Sequence, residues 1–119
     1  MKFGILFASL CSIATLADVA CAQPTAPVST YAQIAADTRA LTSEYELMNR
    51  MGARPVVLDL VPFGGGSDSF YQRGKKNDEI AFVCPNKGYK GGPTKGMIVR
   101  TEAGGDGGRF YHLDNCSRK

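Results

Sequence analysis

The chain of 119 residues has no tryptophan and one histidine, His112; beyond Cys21 it has only two cysteines, Cys84 and Cys116. Each scarcity removes a class of chemistry. Zinc and related centres need several clustered nitrogen or sulfur ligands, which one histidine and two cysteines do not supply. No run of carboxylates has the spacing of a calcium loop. There is no Gly-x-Ser-x-Gly elbow, and a cysteine held in a bridge is no nucleophile. Gly64-Gly65-Gly66 is not followed by Gly-Lys-Ser/Thr, so it reads as a turn and not as a phosphate cradle. No metal and no cofactor are expected. Long hydrophobic runs are also missing beyond the start of the chain, where a span would need about 18 apolar residues.

The start itself is distinctive. Met1-Lys2 precedes an apolar run from Phe3 to Leu16, interrupted only by Ser9, Ser12 and Thr15, and Ala20-Cys21-Ala22 offers small residues for cleavage. The pattern is that of an export signal over residues 1–22, cut before Gln23; the alternative is a buried N-terminal helix. Cleavage would remove Cys11 and Cys21 and leave a secreted monomer with no membrane-spanning segment. The oxidising route favours a Cys84–Cys116 bridge. In the chain-entropy account such a loop contributes about 3–4 kcal/mol. That is a large share of the roughly 5–15 kcal/mol that holds a small domain together.

The formal net charge is +3, and the excess is uneven. From Cys84 onward, Lys87, Lys90, Lys95, Arg100, Arg109, Arg118 and Lys119 stand against Glu102, Asp106 and Asp114. A basic region of this kind suits RNA or another anionic surface; it equally suits a solvated face that keeps the chain soluble.

Residues 23–28, with Pro24 and Pro27, form a loose leader to one domain over residues 29–119. Thr30 followed by Gln33 is a capping box that opens a helix. Ile34, Leu41, Tyr45 and Met48, with Thr38 between them, recur at helical steps, and Gly52 and Pro55 close the element. Strand patterns follow at Val56–Phe63, Ser69–Gln72, Glu79–Cys84, Gly96–Thr101 and Arg109–Leu113, separated by turn-forming segments. Loops of hairpin length favour an antiparallel meander. The expected fold is therefore α+β, one amphipathic helix packed on a single antiparallel sheet of about five strands.

Few residues remain for chemistry. His112 could exchange a proton near neutral pH, though a lone strand histidine serves packing as readily. Asp59, the one charge in an apolar strand, could act as a base if buried or could simply face water. Alternation places Arg109, Tyr111 and Leu113 on one face of the last strand and Phe110 and His112 on the other.

Gly96-Met97-Ile98-Val99-Arg100-Thr101-Glu102-Ala103 resembles the penultimate strand of the small guanyl-specific mould ribonucleases, Gly-x-Ile-x-His-Thr-Gly-Ala. In order along the chain, Val28–Gln33 is similar to the start of that family's helix, Val61-Pro62 to its Trp-Pro pair and Asp78–Phe82 to its Asp-Arg-Val-Val-Phe strand. Phe110 and Cys116 are similar to its last strand and terminal cysteine. The resemblance implies a microbial ribonuclease-like α+β fold. Its catalytic glutamate, arginine and histidine fall at Leu60, Glu79 and Arg100, none of which can perform the matching step. That departure, with the export signal, resembles the secreted ribonuclease-like effectors of plant-pathogenic fungi, which act by binding and in some cases inside host cells.

The expected function is a secreted, catalytically inactive binder of RNA or a host protein. It would use Lys87, Tyr89, Lys90, Lys95, Arg100, Arg109 and Tyr111 as contacts. Two alternatives are an active endoribonuclease built on His112 and Asp59, and an unrelated β-rich effector with a single disulfide.

Overall fold

The computed structural model describes residues 28–64, 68–105 and 107–119. The expected export signal, and the expected leader up to residue 27, lie outside the described residues.

The capping box forms as its residues require. The Thr30 hydroxyl accepts from the Gln33 backbone N–H, and the Gln33 side chain accepts from the Thr30 N–H at 2.9 Å, opening α1 (Tyr31–Ala40). The helix does not run on to Met48. Leu41 is extended, with φ −119° and ψ 135°, and Ser43 caps a second helix, α2 (Glu44–Met51), by accepting from the Glu46 N–H. Thr42 and Ser43 favour such local side-chain bonds over helix continuation. The break changes the buried face: Tyr45 is exposed, while Leu47 and Met51 join Ile34 and Ala35 in the core.

Among the described residues, seven strands accompany the helices: β1 (Ser29–Thr30), β2 (Pro55–Pro62), β3 (Ser69–Gln72), β4 (Ile80–Val83), β5 (Gly92–Ala103), β6 (Arg109–Leu113) and β7 (Ser117–Arg118). Around the sheet β2, β3, β4, β6 and β5 pair in that order, and β5 pairs back onto β2 to close a five-stranded barrel. The β4–β6 pair is parallel and the other four pairs are antiparallel. β1 and β7 extend β2 and β5 respectively.

One helix on a single antiparallel sheet, the ribonuclease-like layout, is therefore not the fold. The length of β5 decides the difference. It spans 12 residues, well beyond the expected Gly96–Thr101. Its first half pairs with β2 from Gly92 to Met97, and its second half pairs with β6 from Ile98 to Ala103. A bulge between Ile98 and Arg100 bends the strand between its two partners. Closure leaves no long open edge on the central sheet.

The interior follows simple alternation. Val56, Leu58 and Leu60 point inward from β2 and meet Phe70, Phe82, Ile98, Tyr111 and the helix residues Ile34, Leu47 and Met51. Gly91 lets the β4–β5 loop close against β2: its φ is +89°, and a Cβ there would stand 2.5 Å from the Leu60 carbonyl oxygen. Cys84 and Cys116 each follow one of the parallel neighbours β4 and β6. They are bonded, with a Cα–Cα distance of 5.6 Å, and both are buried. The Asn86 side chain ties the same two segments, accepting from the Cys116 N–H at 2.7 Å and donating to Asn115 Oδ1 at 3.2 Å.

Candidate functional site

Residues that do not point into the barrel form its outer wall, and the strand register sets their neighbours. Val61 lies opposite Tyr71, Ala81 opposite Phe110, and Phe110 opposite Glu102. In the next row Val83 lies opposite His112, and His112 opposite Arg100. Three aromatic rings thus share the wall with small or charged residues. Phe63 and Tyr71 meet edge to face with centroids 5.1 Å apart, and Lys76 Nζ lies 5.9 Å from the Tyr71 ring centre.

A cleft of about 720 Å³ opens on this wall, with Phe63, Lys76, Asn77, Glu79, Ala81, Arg109 and Phe110 among its lining residues. Gly104 and Gly108 close one side. A Cβ on Gly104 would stand 3.2 Å from the Gly108 carbonyl oxygen and 3.4 Å from the Phe110 ring, so the glycine brings the loop up against that ring. A second hollow of about 620 Å³ is lined by Pro62, Gly64, Phe70, Asn86, Lys87, Tyr89 and Lys90. Phe63 borders the first hollow and its neighbours Pro62 and Gly64 the second, so the two flank the β2–β3 connection.

At the β5 side of the wall stands a polar cluster. His112 Nε2 is 2.6 Å from Glu102 Oε2, Arg100 Nη2 is 3.3 Å from His112 Nδ1, and Arg100 Nη1 is 3.5 Å from Glu102 Oε2. A guanidinium only donates and a carboxylate only accepts. The geometry therefore places the imidazole proton on Nε2, donated to Glu102, with Nδ1 accepting from Arg100. That hydrogen bond from His112, helped by the Arg100 charge and opposed by partial desolvation, holds the Glu102 carboxyl below its usual range.

The expected contact residues divide into groups. Lys87 and Lys90 are exposed on the loop after Cys84, and Arg100 is exposed on the wall. The Arg109 side chain is only 13% exposed and lines the cleft, 3.9 Å from Glu44 and 3.4 Å from Thr101 Oγ1. Lys95 is exposed on β5, where that strand pairs with β2 and β7, away from the cleft. Tyr89 is half-buried, edge to face with Phe70, and its hydroxyl lies 2.6 Å from Thr94 Oγ1.

Tyr111 has no exposed surface and its hydroxyl lies 2.5 Å from Thr38 Oγ1. It is a core residue and offers no ring to a ligand; the adjacent Phe110 does. The expected His112–Asp59 pair is not assembled either. Asp59 sits on β2, opposite Pro93, and is bound to Arg73 at 2.9 Å, whereas His112 lies opposite Arg100. β2 and β6 do not pair.

Phe63, Tyr71 and Lys76 carry no motif, and Glu102 stands where the resembled Gly96–Ala103 motif has glycine, so the sequence pattern singles out none of them. A signal for Glu102 exists nonetheless. A hairpin centred on the Gly104–Gly108 turn pairs Arg100 with His112 and Glu102 with Phe110, which brings Glu102 and His112 onto one face.

Among the described residues, no three His, Cys, Asp or Glu side chains gather into a metal-binding group. Nor, among the described residues, is any helix long and apolar enough to cross a membrane. Compared with known proteins, the chain matches no family model, no curated protein and no solved structure.

Proposed function

We propose that this is a secreted RNA-binding protein that holds its ligand on the outer wall of the barrel. The observation that carries this reading is the interleaving of Phe63 and Phe110 with Lys76 and Arg109 around one cleft, with Tyr71 against Phe63 and Lys76 beside it, next to a loop bearing Lys87 and Lys90. Aromatic faces stack on bases of any sequence, and the cations contact the phosphates. Five-stranded Greek-key barrels that bind oligonucleotides use a corresponding wall and its flanking loops, a fold-level analogy that supports the reading. The Cys84–Cys116 bridge supports an oxidising destination.

The test is fluorescence anisotropy with a labelled RNA across a salt series. Binding should weaken as salt rises, and Lys87→Ala with Lys90→Ala should flatten the log–log slope by about 0.7 per lost phosphate contact. Absence of RNA binding at low salt overturns the reading and directs attention to a host-protein partner.

One observation favours a second reading, in which bound RNA is cut. Glu102, His112 and Arg100 supply a carboxylate, an imidazole and a guanidinium in one connected cluster. In that reading the ribose 2′-oxygen attacks the adjacent phosphorus, its proton passing to the cluster. The P–O5′ bond breaks, and the departing oxygen takes up a proton. The partner of His112 would be Glu102 and not Asp59. Loss of RNA cleavage in His112→Ala supports it, and intact RNA after prolonged incubation with the wild-type protein rejects it.

A further inference from the structure

We propose that the cleft over Ala81 receives one unpaired nucleobase together with its phosphate, so that the protein binds single-stranded RNA and rejects duplex, an inference that rests on the RNA-binding reading above. Ala81 on β4 lies opposite Phe110 on β6, and its short side chain leaves the cleft open beside that ring; Phe63, itself packed edge to face on Tyr71, is the second aromatic among the lining residues.

The rest of the cleft suits what a base carries with it. Its 720 Å³ lies within the roughly 300–1,000 Å³ typical of small-molecule sites, and leaves room for sugar and phosphate beside the ring. Lys76 and Arg109 provide positive charge among its lining residues, while Asn77 and Glu79 offer polar groups to a base edge. Glu79 is held at φ 62°, in the left-handed region, with its carbonyl accepting from the Arg109 N–H at 2.9 Å. A non-glycine residue in that conformation beside a cleft is a feature often found where ligands are gripped. The bases of a duplex remain paired and stacked, so none is available to enter, whereas a single strand can turn one outward.

The experiment measures binding of a single-stranded RNA and of its matched duplex at low salt, with 2-aminopurine as one base of the single strand. The wild-type protein should bind the single strand in preference and quench the 2-aminopurine. Ala81→Leu, which fills the slot, and Phe110→Ala, which removes one wall, should each weaken single-strand binding by about tenfold or more and relieve the quenching. Circular dichroism checks that each variant folds; should Ala81→Leu not fold, Phe110→Ala decides, since Phe110 lies outside the core. Equal affinity for duplex and single strand, or RNA binding that Phe110→Ala leaves unchanged, overturns the slot while the RNA-binding reading stands. No binding of either RNA overturns both.

Discussion

Phe110 and Tyr111 are neighbours in the chain, yet they belong to different parts of the molecule. Tyr111 lies inside the barrel, stacked at 5.9 Å on Phe82, with its hydroxyl 2.5 Å from Thr38 on α1. Phe110 lies on the wall beside Ala81, lining a cleft. The same alternation operates on β4, where Phe82 is fully buried in the core and Ala81, itself only 6% exposed, lines the cleft floor. Consecutive residues on two strands thus separate stability from recognition, because a pleated strand sends successive side chains to opposite faces. Mutations on the two faces should have effects of different kinds as well as different sizes.

The largest effect is expected inside. Tyr111→Ala should destabilise the fold by about 3–5 kcal/mol, leaving a cavity and the Thr38 hydroxyl without that partner. Denaturant unfolding should place it far below Phe110→Ala, which should unfold close to wild type while losing RNA affinity. Equal destabilisation by the two would erase the division between the faces.

Next comes the bridge that ties the parallel strands together. Replacing Cys84 and Cys116 by serine should lower stability by about 3–4 kcal/mol, seen as an earlier denaturant midpoint. The lysine loop that begins at Cys84 should lose affinity along with it, whereas the wall cleft should retain 2-aminopurine quenching in whatever fraction stays folded.

A moderate effect is expected at high pH. Tyr31 is raised well above its ordinary value, first by burial and then by its hydrogen bond to Asp78, and burial likewise raises Tyr111. Their protonated forms are favoured in the folded state. This contribution is fully present below the unfolded tyrosine value of about 10 and is lost as pH rises through the raised folded values. Unfolding midpoints should be flat up to about pH 10 and fall above it, and Tyr31→Phe should lessen the fall.

The smallest effect is expected at Glu102. Its depressed carboxyl gives a contribution present above the ordinary carboxylate range and lost as pH falls through the lowered value. Acid titration of Glu102→Gln should lack that component. At neutral pH, where the contribution is present, the change should lower the midpoint slightly, and the two proteins should converge in acid.

Much of the local structure was legible from residues alone. The Thr30–Gln33 capping box and the Gly52 and Pro55 stop act over a few residues, and each of the five expected strands falls on an observed one. The helix break at Leu41 was harder to read, because Ile34 and Met48 are spaced as one helix would place them while Ser43 starts another. The wall site was legible only in fragments. Phe63 follows β2 and Phe110 lies on β6, two strands that do not pair with each other, so no sequence window shows them lining one cleft.

By itself the sequence determined where the first helix begins, roughly where five of the strands lie, and which side of those strands is apolar. All of these depend on short-range sterics or on alternation. Only the tertiary structure decided that β5 is long enough to serve two partners, that β4 and β6 run parallel, and that the sheet closes. Those choices are set by contacts between distant segments, whose joint burial favours one register over its competitors. Closure put Tyr111 in the core and Phe110 on the wall, and gathered Glu102, His112 and Arg100 beside it.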